Sequence, residues 1–563
     1  MGGTMNKNNM NEQNPWLKNY DDHVCPSIEF PNSTITELLS ETNEYYGSNT
    51  FICYGSAEFS YRFTKEKIDL LAEKLIDIGI SKGERIAIIL PNIPQFIISY
   101  YATLSFGGIV VAMNPRATQA EFEYLFSGAG VTCAICLDTL APIIRAINKE
   151  NNAFTLITTS VNDYKKIESK EWRKNASLSS VDDIPLLELL LDNDAKHKAE
   201  DVMVEPDDPA IFQFSGGTTG EPKAAVGLHK NIVANVNQFI NWCDLKKGEE
   251  VILAAIPLYH VYGMVLAMNM AMALGGKLVL ISDPANVDDI LDQIEQKRVT
   301  FYPGVPTMYH AININEKVKS GNAHLDTIKA CISGSFTLHP SIKEGFEKTT
   351  GGKLIEGYGL SEAPTATHCN PLYGKNKTGS IGMPLPNVIA KIVNLENGLE
   401  TLQPGEIGEL VIKGPQIMAE YFQKPDDTKS AIRDGWLFTG DIARMDRDGY
   451  FFLIDRKKSL IKVNGLQVWP KEIETLIVEH PKIKECAVAG VPDLIHGERV
   501  VSWIVTKNDI DLPLEEVRNW CSDKLSKYKV PSEIIRVDRI PRTNVGKILH
   551  RKLIAEYFGK KEV

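Results

Sequence analysis

Short apolar runs rich in β-branched residues alternate with amphipathic segments from about residue 60 to residue 440. The apolar runs include 86–90, 109–111, 251–253 and 278–281, and the amphipathic segments include 67–78 and 287–297. Strands that alternate with helices favour mostly parallel sheets with helices on both faces. The pattern therefore predicts an α/β fold, with parallel-type sheets flanked by helices.

The length of the chain, 563 residues, is too great for one hydrophobic core, so we expect at least two domains. A charged cluster at 455–458 is followed by a shorter α+β pattern. We predict a polar N-terminal segment at 1–30, a large α/β domain at 31–456 and a small α+β domain at 457–563. The last of these, roughly a hundred residues, has an ordinary domain size.

Charge and composition exclude several classes of protein. A net charge of −11 argues against a nucleic-acid binder, which would carry a basic face. Nine cysteines, an odd number spread over a long chain, are typical of reduced thiols. The uncharged stretches 86–115 and 251–276 contain Pro, Gly and polar residues, which favours buried strand–helix units over membrane spans. We expect a cytoplasmic protein and leave open peripheral contact with a membrane and formation of a homodimer.

A glycine-rich loop follows the apolar run 209–212. It reads Ser215-Gly216-Gly217-Thr218-Thr219-Gly220-Glu221-Pro222-Lys223. Glycines let backbone N–H groups approach an anion, and hydroxyls and a lysine add donors and charge, as a triphosphate requires. The loop lacks the Gly-Lys-Ser/Thr ending of a Walker loop. A surface turn would have a similar composition, so the motifs further along the chain decide between the two interpretations.

Further motifs follow in order. They are Glu356-Gly-Tyr-Gly-Leu-Ser-Glu362, Gly379-Ser-Ile-Gly-Met-Pro384, Gly435-Trp-Leu-Phe-Thr-Gly-Asp441, the segment from Asp455 to Gly465, and Asn544-Val-Gly-Lys-Ile-Leu-His-Arg551. Together with the loop, this set resembles the adenylate-forming superfamily of acyl-CoA synthetases, adenylation domains and luciferases over about residues 30–555. Tyr528-Lys-Val-Pro531 and 544–549 are most similar to bacterial-type long-chain fatty-acid–CoA ligases.

The resemblance implies a two-step reaction. A carboxylate attacks the ATP α-phosphate to give acyl-AMP and diphosphate, and a thiol then takes the acyl group. The resemblance also implies that the β- and γ-phosphates are held by 215–219 and Lys223, and that Gly334, Ser335 and Tyr358 frame the adenine. It places Ser361 at the α-phosphate, Mg²⁺ on Glu362, and the ribose on Asp441 and Arg456. The full implied ATP-binding set is Ser215, Gly216, Gly217, Thr218, Thr219, Gly220, Lys223, Gly334, Ser335, Glu356, Gly357, Tyr358, Gly359, Ser361, Asp441, Arg456, Lys462 and Gln467.

In such enzymes a mobile C-terminal domain presents different faces to the two steps. The resemblance assigns Lys547 to neutralising the substrate carboxylate and the α-phosphate, so Lys547, Thr218 and Glu362 are the expected catalytic residues. Lys458 falls at the hinge position. Asn464 and Gly465 are expected to bind coenzyme A, a co-substrate with ATP.

The expected acyl pocket comprises His260, Tyr262, Gly263 and Met264, which open a segment with four methionines. Methionine fills irregular apolar space, which suits a flexible chain. An ordinary core helix would show the same stripe. No cation in the segment offers a partner for a second carboxylate or an amino acid, so we favour a medium- or long-chain fatty acid.

Several alternatives stay open. An aryl- or phenylpropanoid-CoA ligase and a luciferase-like enzyme fit the same motifs. An acyl-AMP ligase that loads a carrier protein would have an insertion after the hinge, whereas 455–474 is compact. A nucleotide-binding pseudoenzyme would be expected to lose Lys547, Glu362 or Asp441, all of which are present. Departures from the common pattern at Gly216, Ala224, 335–337 and Glu420 remove no charge that the mechanism needs.

Overall fold

The computed structural model describes residues 14–151, 154–167, 183–192, 196–215, 222–464, 466–493, 495–507, 512–542 and 548–559. Its strands are β1 Thr50–Tyr54, β2 Ala57–Ser60, β3 Arg85–Ile89, β4 Ile109–Ala112, β5 Val131–Leu137, β6 Thr155–Thr159, β7 Asp183–Pro185, β8 Pro209–Phe214, β9 Ala224–Leu228, β10 Val251–Ala254, β11 Lys277–Leu280, β12 Phe301–Gly304, β13 Ala330–Ser333, β14 Lys353–Leu360, β15 Ala363–Cys369, β16 Met383–Pro384, β17 Ile389–Val393, β18 Gly408–Lys413, β19 Ile432–Arg433, β20 Trp436–Met445, β21 Phe451–Arg456, β22 Ile461–Val463, β23 Leu466–Val468, β24 Ile483–Asp493, β25 Gly497–Thr506 and β26 Glu533–Arg536.

The helices are α1 Ile35–Tyr46, α2 Tyr61–Asp77, α3 Pro94–Ser105, α4 Gln119–Ala129, α5 Ala141–Asn151, α6 Tyr164–Ile167, α7 Leu186–Leu191, α8 His229–Trp242, α9 Val261–Gly263, α10 Met270–Leu274, α11 Val287–Lys297, α12 Pro306–Ile314, α13 Glu316–Lys319, α14 Pro340–Thr350, α15 Pro425–Ala431, α16 Pro470–Val478, α17 Leu514–Ser522 and α18 His550–Gly559. Local chemistry fixes several starts. Thr34 and Glu37 form a reciprocal capping box at α1, and Thr118 and Glu121 do so at α4.

Two large sheets confirm the predicted α/β class. One has the order β7-β6-β5-β3-β4-β8-β9, and all its pairs except β8–β9 are parallel. The other has the order β16-β15-β14-β13-β12-β10-β11-β1-β2 and is parallel from β14 to β1. Residues 86–89 of β3 are 0% exposed, as expected of a strand covered on both faces.

Helix α8 carries amides into the interior between these sheets. Asn235 accepts from the Thr365 backbone N at 2.8 Å and donates to the Ala366 carbonyl at 2.8 Å, while Gln238 donates to the Pro386 carbonyl at 2.6 Å. Asn235 and Gln238 are both fully buried. Because buried amides require partners, these bonds fix β15, and with it the β14–β15 turn, relative to α8.

A third sheet has the order β17-β18-β20-β19, and β21 pairs with β20. A fourth, β23-β22-β25-β24 with β26 beside β25, is built entirely from residues after 460. Two hydrophobic clusters of that last region are separate from the main core. Within the described residues, no helix has the length and apolarity to cross a membrane.

Candidate functional site

The glycine-rich loop joins β8 and β9, which pair antiparallel with Phe214 opposite Ala224. Just beyond this pair, the Ser215 backbone N donates to the Lys223 carbonyl at 2.8 Å. Ser215 and Lys223 therefore stand together at the base of the loop. The predicted phosphate-binding residues Gly216, Gly217, Thr218, Thr219 and Gly220 lie outside the described residues.

The Lys223 side chain is held in place on two sides. Its Nζ forms an ion pair with Asp427 of α15. The same atom lies 5.3 Å from the centre of the Tyr421 ring, within the range of a cation–π contact. Neither partner was predicted from the sequence.

The predicted magnesium ligand, Glu362, lies with Ser361 in the two-residue turn between β14 and β15. Its Oε1 accepts a hydrogen bond from the Tyr421 hydroxyl at 2.7 Å, and its backbone carbonyl accepts from Met418 N at 2.9 Å. Burial and the neighbouring Glu362 raise the pKa of Tyr421, so its hydroxyl stays protonated and donates. Lys223, Tyr421 and Glu362 thus form one contiguous set.

The predicted adenine and ribose residues come together from three strands. The Tyr358 hydroxyl of β14 donates to Asp441 Oδ2 at 2.5 Å, and Arg456 Nε lies 2.5 Å from Asp441 Oδ1. Asp441 of β20 is opposite Arg456 of β21, which places their side chains side by side. The Asp441 carboxylate raises the pKa of Arg456, and Tyr358 and Glu362 add to this effect. Through its charge, Arg456 therefore interacts both with the Tyr358–Asp441 pair and with Glu362 of the Lys223–Tyr421–Glu362 set.

Tyr358 is only 8% exposed, and its ring contacts the His368 ring edge-on with centroids 5.9 Å apart. His368 is itself fully buried, and burial lowers its pKa to about 3, so it is neutral. The Tyr358 ring thus packs against an uncharged imidazole, that of His368.

Gly334 and Ser335 follow β13, and Glu356 of β14 is opposite Ser333 at the end of β13. Ser335 is exposed and has a φ of 71°, an uncommon value for a residue with a side chain. Gly357 continues β14 opposite Cys369. Gly359 has no room for a side chain, because a Cβ there would lie 1.7 Å from the Thr365 carbonyl oxygen. The structure thus gives Gly359 a steric role in the β14–β15 turn.

The half-buried Glu356 predicts a specific pH dependence of stability. Burial raises its pKa from 4.5 to about 8, so the folded chain holds a proton that the unfolded chain releases between these values. Its stabilising contribution is complete below about pH 4.5 and is lost as the pH rises toward 8. We expect Glu356→Gln, which cannot ionise, to flatten the fall in Tm over this range. If Tm, measured in thermal melts from pH 5 to 8, fell equally steeply with pH in the wild type and in Glu356→Gln, this expectation would be wrong.

The predicted acyl-pocket residues begin a buried helical stretch. His260 Nδ1 accepts from the Tyr262 backbone N at 3.2 Å, which caps α9. The Tyr262 hydroxyl lies 2.6 Å from the Ile332 carbonyl oxygen and is 3.1 Å from that of Gly304. A Cβ on Gly263 would lie 2.5 Å from the Pro257 carbonyl oxygen. These contacts fix the start of the stretch against β12 and β13.

Residues 264–269 form a π-helix, where the sequence predicted only a helix rich in methionine. Asn269 Nδ2 donates to the Met264 carbonyl at 3.0 Å and to the Tyr100 hydroxyl at 3.1 Å, and Asn269 Oδ1 accepts from Tyr101 at 3.1 Å. π-Helical turns are rare and frequently lie at functional sites. The sequence signal was Asn269 itself, a polar residue in an apolar run.

The predicted hinge and coenzyme A residues lie around the fourth sheet. Lys458 is exposed in a single 3₁₀ turn, 457–459, directly after β21. Lys462 and Gln467 face each other across β22 and β23 and are exposed. Asn464 has a φ of 51°, and its Oδ1 lies 2.9 Å from His496 Nδ1. Gly465 and Lys547 lie outside the described residues.

The carboxylate oxygens of Glu362 are suitable ligands for the expected Mg²⁺. Among the residues that the structure describes, no group of three or more His, Cys, Asp or Glu side chains could hold a metal. Mg²⁺ commonly binds through one or two carboxylates together with substrate phosphates. One carboxylate, Glu362, beside the base of a candidate phosphate loop matches that mode.

The chain is similar to known proteins over nearly its whole length. A family model described as AMP-binding enzyme matches residues 39–422, and one described as AMP-binding enzyme C-terminal domain matches 472–547. A long-chain-fatty-acid–CoA ligase of Bacillus subtilis is 38% identical over 97% of this chain and 99% of its own length. The enzyme of the same name from Yersinia pestis is 32% identical over 96% and 97%. The crystal structure of ATP-bound MatB from Rhodopseudomonas palustris has a TM-score of 0.79 at 25% identity and covers 93% of this chain and 99% of its own.

Proposed function

Since the chain belongs to the AMP-binding enzyme family, we propose that it is an AMP-forming acid–thiol ligase that joins fatty acids to coenzyme A. The observation that supports the proposal is that residues from four separate motifs lie in two contact groups, which interact electrostatically through Arg456. These residues are Lys223, Glu362, Asp441 and Arg456. Full-length similarity to fatty-acid ligases supports the choice of substrate.

The first half-reaction brings two anions together, the fatty-acid carboxylate and the α-phosphate of ATP. Catalysis of phosphoryl chemistry is mostly positioning and charge stabilisation. Lys223 would bind the β- and γ-phosphates from the base of the loop, and Ser361 would contact the α-phosphate. Bound with ATP, Mg²⁺ would supply further positive charge at the phosphates, with Glu362 as its protein ligand.

The nucleoside would lie against the second group of residues. Asp441 would accept hydrogen bonds from the ribose hydroxyls, since an ionised carboxylate accepts through both of its oxygens. Glu356 and the 334–335 turn would border the adenine.

The acyl chain would enter beside His260 and Tyr262 and contact the buried methionines that follow. Met264, Met268, Met270 and Met272 are each at most 1% exposed. Methionine side chains adapt to irregular apolar contacts, so such a wall can accept a flexible alkyl chain. An ordinary core helix would show the same burial, so the choice of a medium- or long-chain fatty acid rests on the full-length similarity to fatty-acid ligases.

The second half-reaction requires a different face of the C-terminal region. Lys547 and the 464–465 loop would serve successive steps from one small domain, 457–563, that turns about Lys458. Two described contacts at this junction are polar: Lys457 pairs with Glu409 at 2.6 Å, and Lys471 N donates to Asp455 at 2.9 Å. The hydrophobic clusters on its two sides are separate. Few apolar contacts would then oppose a rotation.

A proline at the hinge tests this rotation. Proline fixes φ near roughly −65°, so Lys458→Pro should trap one orientation of the C-terminal domain. We expect diphosphate release from ATP and fatty acid to persist and thioester formation to fall sharply in quenched single-turnover assays. Lys458→Ala, which keeps the backbone free, is the control and should make acyl-CoA normally. Acyl-CoA formation at the wild-type rate in the proline variant would rule out the hinge.

The substrate class is tested by coenzyme A-dependent AMP release over a panel of acids from acetate to long-chain fatty acids, with benzoate and cinnamate as aryl representatives. We expect the highest kcat/KM for medium- or long-chain acids. A preference for the aryl acids would show that the substrate is an aryl acid and not a fatty acid. AMP release that does not depend on coenzyme A would show that coenzyme A is not the acyl acceptor.

A further inference from the structure

Segment 418–422 runs between the two large sheets and bonds to both. On one side it lies along β9, the last strand of its sheet: Ala419 N donates to the Val226 carbonyl at 2.9 Å, Val226 N to the Glu420 carbonyl at 2.8 Å, and Phe422 N to the Ala224 carbonyl at 2.9 Å. On the other side Met418 N donates to the Glu362 carbonyl at 2.9 Å. The segment is therefore fixed along its whole length.

Tyr421 lies in the middle of this segment and is 9% exposed. Its hydroxyl donates to Glu362 Oε1 at 2.7 Å, and its ring centre lies 5.3 Å from Lys223 Nζ. Among the described residues, the other oxygen, Oε2, makes no hydrogen bond. One side chain thus holds a carboxylate by its hydroxyl and a lysine by its ring.

We propose that Tyr421 is a positioning residue that orients Glu362 for the metal ion and Lys223 for the phosphates of ATP. The inference rests on the proposed function, because it assumes that Glu362 and Lys223 meet MgATP. It adds a residue that touches neither the metal nor the reacting atoms.

The physical reason lies in what the two side chains do without this partner. A carboxylate and a lysine on flexible stems lose rotamer freedom when they bind a ligand. A charge-assisted hydrogen bond on Oε1 fixes the Glu362 rotamer beforehand and leaves Oε2 available. Lys223 keeps its ion pair with Asp427 without Tyr421, and the aromatic face adds a second restraint on the amine. Partners of metal ligands commonly change metal affinity about 10–100-fold when they are removed.

The test separates the hydroxyl from the ring. Calorimetry would measure the Kd for ATP across a Mg²⁺ titration, in the absence of fatty acid and coenzyme A. Tyr421→Phe keeps the ring and removes the hydroxyl. The Mg²⁺ concentration that gives half of the full decrease in the Kd for ATP should therefore rise about tenfold. Tyr421→Leu removes both, so ATP binding should also weaken at saturating Mg²⁺.

Two controls complete the design. Tyr61→Phe loses a fully buried hydroxyl that bonds to the Ala271 and Gly276 carbonyls in the core, and should leave the Mg²⁺ dependence unchanged. Glu362→Gln should shift that dependence at least as far as Tyr421→Phe. The proposal is overturned if Tyr421→Phe binds ATP with the wild-type Mg²⁺ dependence while Glu362→Gln does not. Because the assay contains no acid and no thiol, a failure of the proposed substrate class leaves this result unaffected.

Discussion

Lys547→Ala is expected to lose most of the adenylation rate, by about 10³-fold, and to keep the transfer of a pre-made acyl-adenylate to coenzyme A. The lysine would neutralise two approaching anions only while the adenylate forms, and loss of one partner of such a charge pair can cost about 2–5 kcal/mol. Rapid-quench measurement of each half-reaction separates the two effects.

The matched control for this variant is Lys552→Ala, a lysine a few positions further on that is exposed on α18. It should change neither step. Equal losses of adenylation and thioester formation in Lys547→Ala would contradict the assignment, since a residue used in one orientation of the domain cannot serve both steps.

Asp441→Ala is expected to weaken ATP binding about 10²–10³-fold. The carboxylate is 3% exposed and bonds to both Tyr358 and Arg456, so its removal takes a partner from a buried hydroxyl and from a guanidinium, in addition to the proposed ribose contact. Hydrogen bonds to charged groups contribute about 1.5–3 kcal/mol each. The measurement is the Kd for ATP by calorimetry, together with Tm.

Glu58→Gln serves as the control for a lost ion pair, since Glu58 of β2, the edge strand of the nine-stranded sheet, pairs with Lys297 of α11 at 2.7 Å. It should change Tm slightly and leave the Kd for ATP unchanged. If Asp441→Ala lowered Tm but bound ATP like the wild type, Asp441 would be a purely structural residue.

The sequence predicted the sheets well because burial on both faces of a parallel sheet leaves a local signature. Runs such as 86–90 and 251–253 became β3 and β10 within a residue, and the amphipathic segment 287–297 became α11. The segment 67–78 became part of α2, which begins six residues earlier, at Tyr61. The hydrophobic pattern of each of these elements spans only a few neighbouring positions. They could therefore be predicted without knowing which distant residues they contact.

The contacts within the site depend on pairings that leave no local signature. Lys223 meets Asp427 across 204 positions, and Tyr358 meets Asp441 across 83. Motif resemblance found Tyr358 and Asp441 as members of one site, although not the bond between them. Tyr421 and Asp427 lay outside the quoted motifs, and the π-helix at 264–269 depends on a buried amide bonding back five residues. Neither feature follows from propensity or periodicity.

The position of segment 418–422 has a mechanical consequence. Its backbone ties an edge strand of one sheet to the β14–β15 turn of the other, and the residues proposed to hold MgATP lie on either side of that tie. A ligand that binds only the folded state stabilises it by about 2.7 kcal/mol at a hundred times its Kd. In this protein the bound nucleotide would stabilise the contact between the two large sheets. The stability of the large domain should therefore rise with the concentration of ATP.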